Sequence, residues 1–419
     1  MPHPLPWLLA CVSTAASAGP AAPTSTVWHA CDESLWKSRP QTRIVLTAPT
    51  PAPENPLLSC STPAESGAGN PWFSVMFDPH EKFYKAWYGR DNICYGTSHN
   101  GLLWNKPLLT IHPDETGGRT SVLVPKRQMA AVWRDDADRD EGRLFKMIAV
   151  GAEGAELRHS ANGIQWSEPT QPQSWGQVLH PQVLSASDGK ATHVYWHRPA
   201  MSGDGKSAGT EILRSSTTDS VRWNPPQTVA EGWLPGQTLR SFAVSACGTR
   251  TLVLAGVSDE SGQESTRAAL LTGKQAVEDL GPLPGLPGHA QSALSLRDST
   301  RLFFSRTIND YHTLNLATLP PDGLCGIAPE GDAGAVLTTA PLPLPPDKCI
   351  IRVTATVRDG GSVEIAALDA AGQPRGTPAT FTTSIVNAPA EGLTAAGEPV
   401  RLQFKLTRAI LHTVRLANY

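Results

Sequence analysis

One seven-residue turn occurs three times, and this repeat limits the fold more than any other feature of the chain. Its copies are Ser98-His99-Asn100-Gly101-Leu102-Leu103-Trp104, Ser160-Ala161-Asn162-Gly163-Ile164-Gln165-Trp166 and Thr217-Thr218-Asp219-Ser220-Val221-Arg222-Trp223. The shared form is S/T-x-N/D-G/S-x-x-W, with Pro two or three positions further on. Asn or Asp caps such a turn and tolerates positive φ, and Gly adopts it freely. Trp then packs over the turn. The three Trp lie 62 and 57 residues apart, a period that implies stacked or radial β-units. With 36 Gly and 37 Pro interrupting helical periodicity, the chain reads as short strands joined by many turns.

Upstream of each turn runs a second recurrence of strand, turn and strand. Residues 72–78 precede 83–88, 129–135 precede 144–150, and 182–186 precede 192–196. Weaker copies pair 241–246 with 251–257 and 292–296 with 301–305. Five four-stranded units of about 50 to 60 residues need about 300 residues. The expectation is an all-β chain whose residues 19–332 form a five-bladed β-propeller. From 333 to 419 the pattern changes: Ile351, Val353, Ala355 and Val357 alternate with polar residues, as do Leu402, Phe404 and Leu406. Period-two alternation marks strands buried on one face, so a small β-sandwich is expected there, linked through the Pro-rich run 341–346.

A formal charge of −3 excludes a basic nucleic-acid platform, and no window offers the apolar length of a membrane span. Residues 1–18 combine an apolar stretch, Leu5 to Val12, with Ala16-Ser17-Ala18, which reads as a signal peptide and predicts a secreted or periplasmic protein. Six cysteines remain after such a leader: Cys31, Cys60, Cys94, Cys247, Cys325 and Cys349. Their even number permits disulfides, with Cys31–Cys60 and Cys325–Cys349 as the short-loop candidates. No Cys or His spacing suggests a zinc site, and neither a metal nor a cofactor is expected.

The segment Cys94-Tyr95-Gly96-Thr97-Ser98-His99-Asn100-Gly101-Leu102-Leu103-Trp104-Asn105-Lys106-Pro107 resembles the "YATS-DG-x-x-W-x-K-P" blade segment of secreted bacterial proteins related to glycoside hydrolase families 32 and 43. Phe77-Asp78-Pro79 with Lys85-Ala86-Trp87-Tyr88 is similar to the hairpin before it, and Pro399-Val400-Arg401-Leu402-Gln403-Phe404 to the trailing sandwich. The resemblance implies a carbohydrate-active propeller with an oligo- or polysaccharide partner. It also implies carboxylates on the first three inner strands. Here those strands open with Asn70-Pro71-Trp72, Arg127-Gln128-Met129 and Leu179-His180-Pro181, so the usual catalytic carboxylates are not plainly retained. Glycosidic cleavage generally requires two carboxyl groups flanking the bond.

In a propeller, the start of each innermost strand and the end of the next share one rim. That rim would gather Asn70, Gln128, His180, Arg240 and His289 from strand starts and Arg90, Arg198 and Arg306 from strand ends. Arginines there offer planar donors to an acidic sugar. Glu211 and Glu65 are the candidate acids. Trp72, Trp175, Trp196 and Trp233 fall outside the repeated turn and are candidate sugar platforms, whereas Trp104, Trp166 and Trp223 read as structural plugs. Two functions stand open, a glycoside hydrolase and a non-catalytic glycan-binding propeller favouring acidic sugars.

Overall fold

A computed structural model describes residues 26–65, 67, 69–170, 175–185, 191–201, 207–259, 261–273, 275–343, 349–395 and 399–418. The leader 1–18 and part of the Pro-rich run lie outside them. No helix among the described residues is long and apolar enough to cross a membrane.

Five antiparallel sheets follow one another along the chain, each opening with an innermost strand: Trp72–Asp78, Met129–Arg134, Leu179–Ser185, Thr238–Cys247 and His289–Ser295. Each innermost strand touches the next, and the fifth touches the first, so the sheets close into a ring. These strands are buried on both faces between neighbouring blades, which is why Trp72–Asp78 reads as a near-continuous apolar run rather than an alternation. Side chains also tie them together. Ser74 Oγ accepts from Val132 N at 3.1 Å, and Ser292 Oγ accepts from Val75 N at 3.2 Å. Ser241 donates to Ala290 O at 2.6 Å.

The repeated turn fastens blade to blade. In the first copy, Asn100 Oδ1 accepts from Leu102 N and Leu103 N, both at 2.9 Å, and Ser98 Oγ accepts from Gly101 N at 2.9 Å. Asn162 and Asp219 hold their turns in the same way. Each Trp then leans on the preceding blade: Trp104 meets Phe303 edge-on, Trp166 meets Trp87, and Trp223 meets Trp133. Hydrogen bonds cross the same seams, from Trp87 Nε1 to Gly163 O at 2.9 Å and from Ser220 Oγ to Asp135 at 2.7 Å. The plugs therefore join blades as well as covering their own hairpins.

The fifth blade lacks an outer strand of its own. Thr50–Pro51 and Leu58–Ser59 supply it, pairing antiparallel with Tyr311–Leu319. Between them the Asn55 amide substitutes for a strand, donating to Leu316 O at 2.9 Å and accepting from Leu316 N at 2.8 Å. Among the described residues the second blade has three strands, with Thr170 bridging to Leu157 in the fourth position.

The remaining strands build a sheet folded over a single core. Cys349–Leu368 and Arg401–Asn418 pair along their length, broken by a register shift between Val357 and Ser362. One half carries Ile385–Ala395 on its flank and the other Pro374–Phe381. Ile351, Val353, Ala355, Leu402, Phe404 and Leu406 point into the shared core, as their alternation predicts. The division at 332 is corrected in one respect: Thr26–His29, Trp36–Ser38, Thr42–Leu46 and Cys325–Pro329 pair within this C-terminal sheet rather than in the propeller. The cysteine pairing differs too. Cys31 bonds to Cys247, and neither expected short-loop pair is bonded.

Gly163 has φ 77° and a side chain there would meet Trp87 at 2.9 Å, whereas Gly117, φ 81°, faces open space. Gly163→Ala is expected to cost about 2–3 kcal/mol and Gly117→Ala about 1 kcal/mol in urea denaturation, the difference measuring the blade contact. Equal losses would contradict it.

Candidate functional site

Three inner strands carry a register irregularity near the ring's upper rim, between Leu179 and Gln182, Leu239 and Ser241, and Ala290 and Ser292. Such bulges re-aim side chains and favour functional edges. Beside the last two lies a cavity of about 360 Å³ lined by Asn70, Arg240, Ser258, Glu264, His289, Arg306 and His312, among others. Blades one, four and five all contribute. Of the candidates read from sequence, it unites Arg240, His289, Arg306 and the strand-start Asn70.

Arg240 is exposed, lines the cavity and donates from Nε to Ser258 Oγ at 3.0 Å; Arg306 is likewise exposed. His289 is buried, with Nε2 lacking a hydrogen-bond partner and lying 3.8 Å from Glu264 Oε2. Burial lowers the His289 pKa; Glu264 and a Val257 backbone contact oppose that effect, and Arg240 reinforces it. His312 Nδ1 is 3.1 Å from Thr307 Oγ1, and its pKa is lowered by burial and then by Arg90. Glu264 keeps its side chain 57% exposed and so is open to a ligand. Asp259, also on the wall, has one oxygen occupied capping its own turn through Ser261 N and Gln263 N.

The other candidates serve structure. Glu65 is buried and fully engaged: it accepts from Tyr88 OH at 2.5 Å, Ser61 N and Thr62 N at 3.0 Å, and Lys106 Nζ at 2.8 Å. Burial raises its pKa, but the bonds from Lys106 and Tyr88 outweigh that and hold it low. Glu211 is clamped by Arg198 Nε at 2.5 Å and by Thr228, so neither Glu211 nor Arg198 enters the cavity. Arg90 donates to Gly69 O at 2.5 Å, and Gln128 is exposed on the second blade.

The proposed Trp platforms are corrected as a group. Trp72, Trp175, Trp196 and Trp233 are all buried, and Trp196 stacks on Trp175 at 4.9 Å between blades, with no face left for a sugar.

His180 is buried, with positive φ at the bulge, and its Nδ1 lies 2.9 Å from His197 Nε2. Burial lowers the His180 pKa to about 4 and holds that of His197 well below the usual histidine range. A bond between two ring nitrogens needs one with its proton and one without, and burial favours the neutral form of both rings at pH 7. Glu264, Ser258 and His312 were not legible from sequence; their strand-end placement beside Arg240 and Arg306 was the available signal.

No protein-family model matches the chain, and no curated protein matches it. Among solved structures, it is similar to an exo-β-1,3-galactanase from Phanerochaete chrysosporium with galactose, at 9% identity over 89% of this chain and 100% of the other, TM-score 0.42. A glycoside hydrolase family 43 arabinoxylan arabinofuranohydrolase from Bacillus subtilis matches at 9% identity over 90% and 99%, TM-score 0.43. A putative glycosidase from Bacteroides thetaiotaomicron matches at 12% identity over 65% and 96%, TM-score 0.43. The blade count rests on the strand pairing described above.

Two predictions follow from the buried groups. His180 has a folded pKa below its unfolded value near 6.5, so the unfolded chain takes up protons first as pH falls; stability present at pH 7 declines between about pH 6.5 and 4, by roughly 2 kcal/mol at pH 5 for this one residue. Denaturant titrations at pH 7 and pH 5 read this directly, and unchanged stability would show that the pair is not neutral. Glu65→Gln is expected to lose about 2–3 kcal/mol of stability while leaving ligand affinity intact; a selective loss of ligand affinity at full stability would return Glu65 to the site.

Proposed function

We propose that the chain is an exported carbohydrate-binding propeller of the glycoside-hydrolase type, whose ligand is an acidic sugar. The observation that supports this most is the cavity shared by blades one, four and five, where Arg240 and Arg306 stand beside His289 and His312, with Glu264 and Asp259 as the wall carboxylates. Guanidinium groups recognise carboxylate or sulfate with paired, charge-assisted hydrogen bonds. Hydrolysis through two carboxyl groups is the less supported reading, because one of the two wall carboxylates among the described residues, Asp259, has an oxygen engaged in capping its own turn.

Glycan arrays or calorimetry with neutral, uronic and sulfated oligosaccharides test this. Acidic ligands should be retained, with affinity falling as salt rises. Arg240→Ala and Arg306→Ala should each weaken binding about 10- to 150-fold, since bonds to charged groups contribute about 1.5–3 kcal/mol. Affinity for the acidic ligand should also rise as pH falls below 6.5 and His289 gains charge, given that burial keeps it neutral at pH 7. Equal retention of neutral sugars, or unchanged affinity in both variants, would reject the proposal.

A second reading has one observation in its favour: the orphaned Nε2 of His289 beside Glu264 has the form of an acid–base pair. Turnover of a bound oligosaccharide that disappears in His289→Gln while binding persists would support it.

A further inference from the structure

Three sulfurs from distant parts of the chain meet in the seam between propeller and C-terminal sheet. Cys31 follows the strand Thr26–His29, Cys247 ends the innermost strand of the fourth blade, and Cys325 opens the strand Cys325–Pro329. Cys31 is bonded to Cys247. Cys325 Sγ nonetheless stands 2.9 Å from Cys31 Sγ and 3.5 Å from Cys247 Sγ, and all three residues are buried. A third thiol in contact with both sulfurs of a disulfide meets the proximity requirement for exchange.

We propose that Cys31 has two interchangeable disulfide partners, Cys247 and Cys325, and that this three-cysteine site moves its bond between them. In the exchange, the Cys325 thiolate attacks Cys31 Sγ, the Cys31–Cys247 bond breaks as Cys31–Cys325 forms, and Cys247 leaves as a thiolate. The proton lost by Cys325 is balanced by the one Cys247 takes up, so no outside oxidant or reductant is needed. The two linkages differ in what they join. Cys31–Cys247 bolts the N-terminal segment to blade four across the seam, whereas Cys31–Cys325 lies within the C-terminal sheet and releases the propeller from that tether.

Charge around the site sets the rate. Burial pushes the Cys325 thiol up to about 12, with Arg250 favouring and Glu278 opposing the thiolate. Asp32 faces the same turn of blade four, bonded to Thr249, and His412 lies 3.3 Å from the Cys325 carbonyl. Exchange is therefore slow at pH 7 and faster in base.

Disulfide mapping of the full chain tests the proposal, using acid quench, alkylation under denaturing conditions without reductant, and peptide mass analysis. In wild-type protein held at pH 9, Cys31–Cys325 should accumulate beside Cys31–Cys247, at least tenfold faster than at pH 7. Cys247→Ser should carry Cys31–Cys325, and Cys325→Ser should carry only Cys31–Cys247. Should the Cys247→Ser protein fail to fold, the wild-type time course decides alone. Persistence of Cys31–Cys247 as the sole linkage of Cys31 at pH 9, or full alkylation of both Cys31 and Cys325 in a folded Cys247→Ser protein, would overturn it.

Discussion

Closure of the ring is the constraint on which everything else in this molecule depends. Val75 and Ser292 are 217 residues apart, yet a side-chain hydrogen bond joins the first innermost strand to the last. Ordering so long a loop is entropically costly, though the cost grows only slowly with length. Stacked apolar faces offset it at every blade seam, as do the repeated Trp contacts and the outer strand that residues 50–59 lend to blade five. A closed ring also leaves neither the first nor the last blade with an uncovered apolar face, and the strand edges that remain are short.

That closure is what makes a cavity from Asn70, Arg240, His289 and Arg306. His289 and Arg306 share one hairpin, Asn70 and Arg240 come from distant blades, and each sits where an inner strand begins or near where the second strand of a blade ends. The bulges at Arg240 and near His289 turn the backbone at the rim without disturbing the packing below it. Electrostatics then separates the rim from the interior. Inside, His180 and His197 are kept neutral by burial and Lys85 is matched to Asp78 at 2.9 Å, while at the rim Arg240 and Arg306 remain exposed.

The blades were legible because their turn chemistry is local. In each copy the Asn or Asp side chain accepts from the backbone N–H groups two and three residues on, whatever the rest of the chain does. The alternation at Ile351 to Val357 was equally direct, since one face of that strand lies against one core. The outer strand of blade five was hidden because each of its two pieces spans two residues, too few to show a period. The placement of residues 26–46 in the C-terminal sheet depends on partners beyond residue 320 and leaves no nearby signature. Of the eight rim residues expected from hairpin geometry, four, Asn70, Arg240, His289 and Arg306, line one cavity. The burial of the Trp candidates was not legible, because exposure at a strand start cannot be told from burial between blades without the neighbouring sheet. Glu65 and Glu211 misled for a related reason: a carboxylate near Lys106 or Arg198 is consumed by the nearest donor.

A crystal structure of the protein soaked with a short uronic or sulfated oligosaccharide tests the central claim most directly. The account predicts density in the cavity between blades one, four and five, with the anionic group within hydrogen-bond distance of Arg240 and Arg306. A sugar bound instead in the arginine-bearing groove of the C-terminal sheet around Arg43, Arg358 and Arg408, with the ring cavity holding only solvent, would contradict it.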